Sequence, residues 1–113
     1  MAVSTEGIGQ VRITVKCNPE MTAGVPCYVD GDNFVDICAD GSEFVGIVDQ
    51  VEGSLASVII RGVATVSYSG TFPGHGLVSL AGDGLGGVKM CADGEKYTVL
   101  SADRTKQTIN ILL

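Results

Sequence analysis

Short runs of alternating apolar and polar residues recur along the chain. Val11, Ile13 and Val15 alternate with Arg12, Thr14 and Lys16, a period of two that predicts a half-buried β-strand with these three apolar residues inward. The same kind of pattern, punctuated by Gly, Asp and Pro, predicts further strands over residues 26–30, 34–39, 43–50 and 55–61. A second set follows over 64–69, 76–81, 87–92, 96–101 and 107–113. No window carries the 3.6-residue period of an amphipathic helix. The Asp-Gly pairs at Asp30-Gly31, Asp40-Gly41 and Asp93-Gly94 predict hairpin turns, because a type I′ turn needs two positive φ angles.

The two sets of strands are copies of each other. Residues 35–45 read VDICADGSEFV and residues 88–98 read VKMCADGEKYT, sharing V-x-x-C-A-D-G-x-x-[FY]. Upstream, residues 11–15 (VRITV) match 62–66 (GVATV), and Gly24 falls opposite Gly76. Downstream, Val58 and Ile60 fall opposite Ile109 and Ile111. The offset is 51 from Ile13 to Ala64, 53 from Cys38 to Cys91 and again 51 from Val58 to Ile109. Two copies, about 11–61 and 62–113, therefore span a single β domain, while residues 1–10 (MAVSTEGIGQ) lie outside the repeat as a flexible N-terminal arm. About ten short strands in two equivalent sets predict an all-β fold, a compact small barrel or sandwich with internal two-fold duplication. Closure into a barrel removes the exposed edges that so many strands would otherwise present.

Composition narrows the function classes. Hydrophobic residues are 45% of the 113 and charged residues 18%, with a mean hydropathy of +0.34. A domain this small keeps much of its chain near the surface, so the apolar excess predicts a face covered by a partner or by further copies, with a homotrimer favoured. Sixteen glycines and no Trp suit short strands and tight turns. The net charge is −6, and seven scattered Lys and Arg make no basic patch, so nucleic acid is not an expected partner. No apolar run reaches the roughly 20 residues of a membrane span, and residues 1–10 lack the basic and apolar regions of a secretory signal.

The residues that could carry chemistry have simpler readings. Residues 82–87 (GDGLGG) satisfy G-x-G-x-x-G, but a dinucleotide site needs a helix after the glycines, and here a strand and a turn follow. Asp30, Asp32 and Asp36, with Asp40 nearby, suggest a calcium loop, but Phe34 stands at the fifth position, where such a loop needs an acid or amide. Hairpin turns enriched in Asp are the simpler reading. His75 lies in a Pro-Gly turn, 72–76 (FPGHG), with no nucleophile or orienting acid identified beside it. Cys17, Cys27, Cys38 and Cys91 lack C-x-x-C spacing and read as reduced, mostly buried thiols. The spacing assigns no disulfide, and Cys38 and Cys91, being equivalent, could face one core region. No catalytic, cofactor-binding or metal residues are expected, and the chain is not expected to be an enzyme.

The order of segments resembles the small capsid cement, or head-decoration, proteins of tailed phages and prophages in the DUF2190 family. The resemblance rests on residues 21–25 (MTAGV), 44–48 (FVGIV) and 58–63 (VIIRGV), then a Gly-led strand at Gly76 and a closing strand at 109–113. It covers about residues 10 to 113, whereas the cysteines and C-A-D-G turns are not features of that family. The resemblance implies a non-catalytic protein of the virion, made in the bacterial host cytoplasm, that binds the major capsid protein on the outer surface and stabilises the shell. The alternative is a β-barrel module that binds a glycan or host-surface ligand.

Overall fold

The computed structural model describes residues 10–113, so the first nine residues of the expected arm lie outside the described residues. All ten expected strands are present: β1 (Val11–Cys17), β2 (Pro26–Val29), β3 (Phe34–Ile37), β4 (Gly46–Glu52), β5 (Leu55–Arg61), β6 (Val63–Ser67), β7 (Gly76–Gly82), β8 (Val88–Met90), β9 (Glu95–Asp103) and β10 (Thr108–Leu112). The described residues form no helix.

Each copy builds its own sheet. The first is a closed barrel in the order β1-β3-β2-β4-β5, and the second is a five-stranded sheet in the order β6-β10-β9-β7-β8. The orders are identical once β1–β5 are matched to β6–β10. Closure of the first barrel is a parallel contact, Cys17 opposite Val35. The second sheet has the matching parallel bridge, Tyr68 opposite Val88.

Register shows why the duplication works. In the first barrel the inward positions include Cys17, Cys27, Val35, Val48, Ala56 and Val58. The residues at the same ladder positions of the second sheet are Tyr68, Leu80, Val88, Val99, Ile109 and Ile111, all members of the second apolar cluster. Four of the six are larger than their counterparts, so the second core is filled by its own side chains. The first is smaller and is capped by Met21 and Val25. A β-bulge falls at the same place in both copies, after Val48 on β4 and opposite the Asn110/Ile111 step of β10.

Several expectations are corrected. Asp40-Gly41 and Asp93-Gly94 are not hairpin turns: β3 and β4 both pair with β2, and β8 and β9 both pair with β7. These loops therefore cross over a shared neighbour, and of the four residues only Gly41 has a positive φ. The tight turn is Gly53-Ser54, between paired Glu52 and Leu55, with Gly53 at φ 61 as the first position of a type II′ turn requires. The closing offset is 53 rather than 51, because Ala56 pairs with Val15 as Ile109 pairs with Val66. The longer β9–β10 turn supplies the two extra residues. Finally, Val11 and Ile13 are exposed, so the inward face of β1 is buried mainly at its far end, at Cys17.

The halves are joined firmly. Cys38, Phe44, Ile47 and Ile59 of the first copy belong to the apolar cluster of the second. Phe44 stacks on Tyr97 at 4.6 Å between centroids and 14° between planes, and the Tyr97 hydroxyl donates to the Phe44 carbonyl at 3.2 Å. Gly41 N–H donates to the Gly82 carbonyl at 2.9 Å and Gly82 N–H to the Ser42 carbonyl at 2.8 Å. Lys89 pairs with Asp40 at 2.5 Å. At the start of the described chain, Gln10 Nε2 donates to the Val63 carbonyl at 2.6 Å.

Candidate functional site

The glycine-rich loop 82–87 joins β7 to β8 and is closed by its own carboxylate. Asp83 Oδ1 accepts from the Leu85 N–H at 2.7 Å and from the Gly87 N–H at 3.0 Å, and the Asp83 N–H donates to the Gly87 carbonyl at 3.0 Å. The donors that a phosphate would need are thus held by an internal anion, and no helix follows to add its dipole. The glycines serve close approach: a Cβ on Gly87 would lie 2.6 Å from the Ser67 carbonyl oxygen, and one on Gly84 would lie 3.2 Å from Asp40 N. At the tip, Leu85 is left 84% exposed.

Leu85 overhangs an open cleft of about 630 Å³ between the two halves. Val25 and Ile37 line it from the first copy, with Ser67 and Thr108 from the second and Thr22 at the rim. The lining carries methyl groups and hydroxyls and no ionisable side chain. Such a surface can hold a neutral partner by shape and hydrogen bonds, but it offers no group to move a proton near neutral pH.

The other sequence candidates are dispersed. His75 is exposed and sits edge-on to Phe72 at 5.2 Å, while the Arg104 guanidinium covers the Phe72 ring at 4.2 Å. Asp40 pairs with Lys89, and Asp36 accepts the N–H of Ile37 at 2.8 Å. Among the described residues no group of three His, Cys, Asp or Glu side chains is placed to hold a metal ion.

All four cysteines are free thiols. Cys38 and Cys91, although equivalent in the repeat, differ in surroundings: Cys38 is buried and Cys91 is partly exposed. Cys27 Sγ donates to the Gly46 carbonyl at 3.6 Å and Cys38 Sγ to the Glu43 carbonyl at 3.4 Å. Burial pushes the Cys27 thiol from its ordinary value of 9.0 up to about 12, with Cys38 and Cys17 adding to the rise. Burial also pushes Cys38 up to about 11. These are inert structural thiols, since the thiolate is the reactive form. In native protein Cys91 is expected to react with a thiol reagent first, and Cys17, Cys27 and Cys38 only on unfolding; mass spectrometry of a timed alkylation checks this.

The same shifts set a pH dependence. Below pH 9.0 both folded and unfolded chains keep these thiols protonated, and the stability they confer is intact. Above it the unfolded chain ionises first, so stability falls by about 1.4 kcal/mol per pH unit per thiol until the folded values are reached. Urea midpoints are expected to drop between about pH 9 and about pH 11, with a shallower drop in Cys27→Ala. Equal slopes for the two proteins would contradict the assignment.

No protein-family model matches the chain, and no curated protein matches it significantly. Sequence reasoning did not single out Leu85, Leu77 or Leu112 as exposed side chains. The alignment of the Thr98–Leu112 pair with the buried Ile47–Ile59 pair follows from the strand register, since the sequence offset of 51 sets Ile59 opposite Asn110 instead.

Proposed function

We propose that this chain is a non-catalytic structural protein that docks on the outer surface of a phage or prophage capsid and stabilises the shell. The observation that supports it best is the exposed Leu85, held on a loop whose backbone is pinned by Asp83, beside a cleft with no ionisable lining. A large apolar side chain on a fixed tip has the character of an interface anchor, because little conformational freedom remains to be lost on docking. Many copies on a repeating lattice then stabilise it by mass action and avidity. The glycan-binding alternative draws less support. None of the six aromatic residues is exposed, so the ring platform on which sugars commonly stack is missing.

The test is co-sedimentation with mature heads of the phage whose genome encodes the chain. Wild-type protein is expected to pellet with the heads, and Leu85→Asp to bind at least about tenfold more weakly, a change of about 1.4 kcal/mol. Folded wild-type protein that stays in the supernatant at all concentrations would sink the reading.

A further inference from the structure

The duplication contains a docking face that is used once and left open once. On the outside of the first barrel, three strands place Pro26, Ile47 and Ile59 side by side: Pro26 opposite Ile47 and Ile47 opposite Ile59. All three are buried, Ile47 at 2% and Ile59 at 6% exposure, although they point away from their own barrel's interior. The two isoleucines belong to the apolar cluster of the second copy. This row is the surface by which the first barrel attaches to the second.

The second copy carries the same row. Leu77 lies opposite Thr98, and Thr98 lies opposite Leu112, one position outward from inward-facing Val99 and Ile111 as Ile47 and Ile59 are from Val48 and Val58. Here none of the described residues covers it. Leu77 is 66% exposed and Leu112 46%. An outward row on a barrel wall has no reason to keep two leucines at positions where the other copy is buried against a neighbour, unless it too meets one.

We propose that the Leu77–Thr98–Leu112 row docks on the first barrel of a second copy of this chain, repeating between chains the contact made within one. Within the chain, β4 touches β6, and Ala64 of β6 shares the cluster with Ile47 and Ile59. The corresponding contact sets β9 of one copy against β1 of the next. Strand β1 exposes Val11 and Ile13, and Ile13 is the counterpart of Ala64. The interface is heterologous, so it closes into a ring or propagates.

Charge excludes one symmetric alternative, and the repeat of the contact made within the chain selects the first barrel as partner. The first copy holds eight acidic and three basic residues, whereas the second holds four of each. A contact between the first barrel and a second-copy sheet sets a strongly acidic body against a neutral one. A contact between two first barrels would set like charges together.

Two experiments on purified full-length protein, without capsids, decide the matter independently of the capsid reading. In sedimentation velocity the wild type is expected to assemble with rising concentration. The Leu77→Asp/Leu112→Asp variant is expected to stay monomeric with an unchanged circular-dichroism spectrum. The second experiment remains decisive if that variant misfolds. In a Cys91→Ser background, Leu112→Cys and Ile13→Cys proteins, changed at the counterparts of Ile59 and Ala64 in the shared cluster, are mixed and treated with a mild oxidant that accepts the two thiol electrons. A covalent dimer is expected in the mixture and in neither protein alone. A monomeric wild type, assembly unaffected by the double Asp change, or a dimer formed equally well by either cysteine variant alone would each overturn the proposal.

Discussion

Gly46→Val is expected to leave the purified chain unfolded, with the β-sheet circular-dichroism signal lost and no cooperative urea transition. Gly46 opens β4 in the wall of the closed first barrel, opposite Cys27, and is itself buried. A Cβ there would strike the carbonyl oxygen of Ile59 and lie 2.7 Å from Val58 Cγ1. The first partner is backbone, so no side-chain rotation relieves the contact. Strand β5 cannot retreat, because it is held by β4 on one side and β1 on the other. Overpacking a core with extra methyl groups costs about 1–3 kcal/mol where neighbours can shift. Here they cannot, and the whole stability of a small domain lies near the lower end of about 5–15 kcal/mol. A variant with the wild-type urea midpoint would show that the barrel wall yields more readily than its pairing implies.

The second large effect is expected at the joint between the halves. Phe44→Ala should lower stability by about 3–5 kcal/mol, the usual cost of removing a buried aromatic ring. Phe44 is buried in the second copy's apolar cluster, stacked on Tyr97, and its carbonyl accepts a hydrogen bond from the Tyr97 hydroxyl. Tyr97 lies in a stretch where β7 and β9 are each two residues longer than the matching part of the first barrel, between the Gly76–Val99 and Leu80–Glu95 pairs. The extension thus provides a ring for Phe44 that the first copy has no need of. Burial pushes the Tyr97 phenol from 10.0 up to about 12, with Glu95 and Glu43 adding to the rise. Opening the stack to water should move it back toward its ordinary value, as an ultraviolet titration of the phenolate would record. A loss below about 1 kcal/mol in urea unfolding would mean that the joint does not depend on this stack.

What could be read from the sequence was what repeats. The V-x-x-C-A-D-G-x-x-[FY] motif located both copies, and alternation found all ten strands, because a half-buried strand writes its inward face every second residue. Two things were hidden for physical reasons. Asp-Gly marks a change of direction but not which strands flank it, so the crossovers at Asp40-Gly41 and Asp93-Gly94 looked like hairpins. Burial in a molecule of two packed halves also depends on which outer wall of the barrel meets the other half. Ile47, facing outward, is buried, whereas the regular alternation of Val11 and Ile13 leads to an exposed face. The candidate surface was the least legible part. The Gly-rich loop was correctly read as a turn, yet the exposed tip at Leu85 follows from the Asp83 hydrogen bonds, which no spacing rule announces.

Strand β5 passes into β6 through the single residue Gly62, at φ 100, where a Cβ would lie 2.9 Å from the Cα of Gln10. With one residue between them and a shared apolar cluster, the two halves form one stiff body rather than two beads on a tether. Were such a body to dock on a capsid lattice as proposed, the translational and rotational freedom of both halves would be surrendered in one event. A contact made by either half then places the other at high effective concentration over its own site. On the proposed docking, duplication without a linker would convert two weak grips into one strong one, and a flexible insertion after Arg61 would undo the gain without altering a single contact residue.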